Sequence, residues 1–81
     1  MSLRNNLFKA LQSRSLGRKV RNGVYVVTRE QVVDFFRGSH PETYTSVILS
    51  NSEMEASHSP TYEKFSVRLD RGKYEIHIPA N

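Results

Sequence analysis

Arg71 and Lys73 flank Gly72 in the turn between two alternating runs near the C-terminus. Two cations beside a residue without a side chain offer donors with little steric hindrance, which suits a phosphate. The plainer alternative is solvated charge on an exposed turn. A second set, Arg14, Arg18, Lys19 and Arg21, lies in an acid-free stretch and reads either as a basic arm or as a soluble connector. The charge is segregated along the chain. Residues 1–29 hold seven basic side chains and no acid, residues 30–63 hold Arg37 against six acids, and residues 64–81 hold four basic residues against two acids. The net charge is +4. A polyanion would bind the two basic blocks if folding brings them to one face.

Other chemistries find little footing. Ten serines, three histidines and two aspartates guarantee chance triads, but no Gly-flanked nucleophile, spaced carboxylate pair or Gly-rich phosphate loop stands out. The absence of cysteine excludes a disulfide scaffold and a thiolate metal site. His40, His58 and His77 lie far apart, and no pair has a helical ligand spacing. The expectation is a protein that is not an enzyme and that carries no metal and no small-molecule cofactor. No apolar run approaches the ~20 residues needed to span a bilayer, so a cytoplasmic protein with no membrane partner is expected.

The elements that position these side chains must fit one domain, residues 1–81. A chain of this length buries only ~60–65% of its unfolded surface, so the core is small. Leu, Ile, Val and Phe still number 21 of 81, above the range for a disordered chain. Leu3, Leu7 and Leu11, with Phe8 beside them, predict an amphipathic helix stopped near Gly17. Its basic, acid-free character also fits a transit peptide or a helix lying on a membrane. A small domain can hardly spare its leucine stripe, which favours a core helix.

Residues 20–27 predict a short strand beside an Asn22-Gly23 turn. Thr28 and Gln31 have capping-box spacing, and Val27 and Val32 stand where a hydrophobic staple would form. The second helix runs on through Val32, Val33, Phe35 and Phe36 to Gly38. Pro41 and Glu42 open a third helix, with Tyr44, Val47 and Ile48 as its buried stripe and Thr45, Ser46, Leu49 and Ser50 facing elsewhere. Tyr44 is therefore expected in the core rather than stacked on a base. Residues 56–61 read as a polar loop. Phe65, Val67 and Leu69 alternate with polar residues, as do Tyr74, Ile76 and Ile78, which predicts a hairpin with one apolar face on the core. His77 falls on its polar face.

Three helices, a short strand and a C-terminal β-hairpin wing make an α+β winged helix-turn-helix. The second and third helices form the helix-turn-helix, and the third is available to a major groove. Residues 28–79 also resemble the small winged-helix domains found in restriction endonucleases and related mobile-element proteins. The resemblance rests on Thr28, Arg29, Glu30, Gln31, Val32, Val33, Asp34 and Phe35 opening the second helix, and on His40-Pro41 with Thr43 or Thr45 opening the third. The run from Phe65 through Asp70, Arg71, Gly72, Lys73 and Tyr74 to Ile76 forms the wing and is the most specific part.

This resemblance implies a DNA-binding protein whose third helix lies in the groove while the wing touches backbone. Carried over, Thr43, Thr45, Ser46 and Ser50 become groove-facing candidates, and Arg68, Arg71 and Lys73 become wing contacts. The expected partner is double-stranded DNA. The expected role is transcription regulation in a phage, plasmid or other mobile element, acting with a second copy as a homodimer. Residues 42–55 contain three glutamates and no Lys or Arg. Base reading would then lean on Asn51, with phosphate contacts supplying most of the affinity. An acidic third helix equally suits a winged helix used as a protein-interaction module.

Overall fold

The computed structural model describes residues 2–54 and 64–79. The chain is a mixed α+β fold in which helices cover one face of a four-stranded antiparallel sheet. Helix α1 (Leu3–Gln12) begins where the Ser2 hydroxyl accepts from the Asn5 amide at 3.1 Å. Its Leu7 and Leu11 are fully buried, so the leucine stripe serves the core. Strands β1 (Arg18–Arg21) and β2 (Val24–Thr28) form a hairpin about Asn22-Gly23. Residues 20–27 are thus two strands and a turn, not one strand.

Helix α2 (Arg29–Phe35) starts as the capping box requires. The Thr28 hydroxyl accepts from the Gln31 amide at 3.0 Å, and the Thr28 amide donates to Gln31 Oε1 at 2.9 Å. Val27 and Val32 are both fully buried. The helix ends at Phe35, earlier than expected, and Gly38 takes positive φ in the turn that follows.

The third helix is not one helix. It is α3 (Glu42–Thr45) and α4 (Ile48–Asn51), so the described residues hold four helices rather than three. At the break Val47 has φ −121° and ψ −6°, and its amide donates to the Tyr44 carbonyl at 3.2 Å. Thr45, Val47 and Ile48 are β-branched, and Ser46 and Ser50 compete for backbone partners, so little intrinsic preference opposes the break. The buried stripe becomes Thr45, Ile48, Leu49 and Ser52, while Tyr44 is 58% exposed. Tyr44 is therefore not a core residue, and Leu49 is.

Strands β3 (Ser66–Asp70) and β4 (Lys73–His77) form the C-terminal hairpin, and the sheet order is β1-β2-β4-β3. Paired residues in an antiparallel ladder share a face. One row crosses all four strands as Lys19, Tyr25, Ile76 and Ser66, followed by Val27, Tyr74 and Arg68. Tyr25, Val27, Tyr74 and Ile76 are buried beneath the helices with Phe36 and Phe65. The opposite face carries the row Arg18, Val26, Glu75 and Val67. Val67 and Leu69 thus point away from the core, 36% and 48% exposed, contrary to the expected apolar inner face of β3. The predicted loop at residues 56–61 lies outside the described residues.

Gly17 enters β1 at φ +71°, and a Cβ there would lie 2.7 Å from the Val26 carbonyl oxygen and 2.9 Å from Leu11 Cδ2. Gly72 has φ +68° but open space around it. An alanine at either site bears the left-handed penalty of about 1–2 kcal/mol. Gly17→Ala adds a backbone clash and is expected to lower unfolding stability more than Gly72→Ala, measured side by side in urea. Equal losses would contradict the close packing of the α1–β1 corner.

Candidate nucleic-acid interface

The β3–β4 hairpin is held to the helices at both ends. At its base, the amides of Phe65 and Ser66 both donate to the Ser52 carbonyl at 3.0 Å, and the Met54 amide donates to the Ser66 carbonyl at 2.8 Å. The buried Ser66 hydroxyl donates to the Leu49 carbonyl at 2.7 Å. At its tip, the Arg29 amide donates to the Gly72 carbonyl at 2.8 Å. These bonds set the hairpin beside the start of α2 and the α3–α4 break.

A depression of about 640 Å³ lies between them, lined by Thr28, Arg29, Glu30, Ser46, Ser50, Arg68, Arg71, Gly72 and Tyr74. Three arginines from different elements, Arg29, Arg68 and Arg71, line it. Arg29 Nε donates to the Ser46 carbonyl at 3.1 Å, a group that the broken helix leaves outside both α3 and α4. The Arg68 guanidinium centre sits 5.9 Å from the centroid of the Tyr74 ring, and its Nε lies 3.5 Å from Glu53 Oε1. The Tyr74 hydroxyl first, and Glu53 after it, hold the Arg68 pKa above its ordinary value. Arg68 therefore stays cationic at any working pH. Among the described residues, the side chain of Arg71 has no hydrogen-bond or ion-pair partner.

Of the residues singled out in the sequence, Ser46, Ser50, Arg68 and Arg71 meet in this groove. Thr43 is exposed on α3 but does not line it. Lys73 is exposed and alternates with Tyr74, which places it on the other face of the sheet. Thr45 is 1% exposed, inside the core, so it cannot face a DNA groove. Arg29 was absent from the expected set. Its place follows from the capping box, which makes it the first residue of α2, and from the β2–β4 pairing that brings Thr28 opposite Lys73. The first signal is local and readable; the second is not.

Arg14, Arg18, Lys19 and Arg21 come together elsewhere, around a separate depression of about 450 Å³. Strand β1 is one edge of the sheet and β3 the other. The two basic sets therefore do not merge into one flank.

Ser66→Ala tests what positions the wing. It removes the buried hydroxyl bond to the Leu49 carbonyl, which keeps the Ser52 amide at 3.3 Å, at a cost of about 0.5–1.5 kcal/mol. The melting temperature should fall by roughly 4–8 °C for each kcal/mol lost. An unchanged melting temperature would mean that this bond does not anchor the hairpin.

Comparison with known proteins leaves the fold and site to speak for themselves: no family model, no curated protein and no solved structure matches the chain.

Proposed function

We propose that this protein binds duplex DNA through the groove between α2, the α3–α4 break and the β3–β4 hairpin, as a small regulator of winged-helix type. In this reading β3–β4 is the wing, and α2 with the α3–α4 pair stands for the helix-turn-helix. The observation that carries the proposal is the convergence of Arg29, Arg68 and Arg71 on one groove beside Ser46 and Ser50. Guanidinium groups grip phosphate oxygens with paired donors, and hydroxyls add uncharged ones.

The groove favours backbone contact over base reading. Each half of the third helix has four residues, too short a rod to present several side chains along a major groove. Glu30 and Glu53 also lie near the cations. Carboxylates repel phosphate, so affinity falls chiefly to Arg71, the groove cation whose side chain has no partner among the described residues. Binding that tolerates sequence is the expected behaviour.

A second reading has its own support. Val20, Val67 and Leu69 are 46%, 36% and 48% exposed. Val67 belongs to the sheet face opposite the helices, and such surface suits a protein partner or a second copy in a homodimer.

Duplex binding titrated against salt separates the two. The wild type should bind tightly at low salt with a steep negative slope. Arg71→Glu should make the log–log slope shallower by about 1, for the phosphate contact removed. No binding at low salt would remove the DNA reading and leave the interaction module.

A further inference from the structure

We propose that the β1 edge is a second polyanion-binding surface, independent of the wing groove, so that one copy of the protein joins two duplexes. This rests on the reading of the wing groove as a duplex-binding site. The β1 edge presents Arg14, Arg18, Lys19 and Arg21 around one depression whose lining contains no acid. Among the described residues, none of these four side chains has a hydrogen-bond or ion-pair partner. By contrast, Arg29 and Arg68 in the wing groove are partly committed to Ser46, Tyr74 and Glu53.

The backbone that carries the β1 cations is held in the sheet rather than strung as a loose arm. Arg18 and Lys19 pair with Val26 and Tyr25, and Arg21 with Val24. Arg14 leaves α1 with φ +62°, and the glycine at position 17 packs against Leu11 and Val26. A fixed backbone loses less conformational freedom on binding than a flexible one, although the side chains must still be ordered.

Topology then separates the two surfaces. Strands β1 and β3 are opposite edges of the sheet; Arg18 also lies on the face opposite Arg68, while Lys19 shares the face of Arg68 from the far edge. The fold formed by the described residues measures 29 × 29 × 27 Å. A duplex has a persistence length of about 50 nm, so a short one cannot curl around a body this small to reach both edges. Each edge takes its own duplex.

The test mixes short duplexes carrying donor dye with the same duplexes carrying acceptor dye, at low salt. The wild type should produce energy transfer that rises with protein and falls again when excess protein gives each duplex its own copy. Arg18→Glu/Lys19→Glu/Arg21→Glu should still bind a single duplex through the wing while transfer drops about tenfold, because that edge now repels phosphate. The milder Lys19→Gln/Arg21→Gln should lower transfer in the same direction, and a thermal melt confirms that each variant folds.

Single-duplex binding without transfer at any ratio would overturn the two-duplex proposal and leave the wing reading standing. Transfer that survives the edge variants would also overturn it, since bridging would then come from paired copies. Binding lost in the edge variants but unchanged in Arg71→Glu would overturn the wing reading and, with it, the pairing of two surfaces.

Discussion

The amide of Arg29 donating to the carbonyl of Gly72 is the contact on which the arrangement of this protein turns. Arg29 is the first residue of α2, and Gly72 is the tip of the terminal hairpin. One bond therefore joins a helix start to a turn more than forty positions away in sequence. The capping box at Thr28 leaves the N–H of Arg29 free of the helix ladder, because the first amides of a helix have no partner within it. The hairpin supplies that partner. Arg29 is then held where its side chain reaches Ser46, and Arg71 is brought to the same groove.

The break in the third helical segment gives the groove its other wall. A continuous helix would occupy the Ser46 carbonyl with its own ladder. Ending α3 at Thr45 and restarting at Ile48 exposes that oxygen to Arg29 and turns Thr45 and Leu49 inward. Two buried hydroxyls, Thr45 Oγ1 and Ser52 Oγ, have no hydrogen-bond partner among the described residues. Unpaired buried hydroxyls cost free energy, and both belong to the segment whose helical register is interrupted.

The parts legible in the sequence were those set by near neighbours. Thr28 and Gln31 announced the start of α2, Gly72 announced the hairpin turn, and the leucines of α1 announced a buried stripe. The break at Val47 was not legible, because two stripes compete on that segment. Tyr44, Val47 and Ile48 satisfy helical spacing as well as Thr45, Ile48 and Leu49 do, and only packing against the sheet decides between them. The outward face of Val67 and Leu69 was hidden for a similar reason. Alternation predicts which residues share a face, not which face is covered, and here Ser66 takes the inward place with its hydroxyl on Leu49. The groove itself depends on pairing β2 with β4, a contact between distant parts of the chain. The convergence of Ser46, Ser50, Arg68 and Arg71 emerged only once that pairing was known.

The cations of β1 also bear on how copies of the chain behave toward one another. A strand at the rim of a sheet offers amides and carbonyls that invite another strand to add on. Here that rim is Arg-Lys-Val-Arg, exposed throughout. A second molecule approaching with the same rim meets like charge at close range, so growth of the sheet from molecule to molecule is opposed at this border.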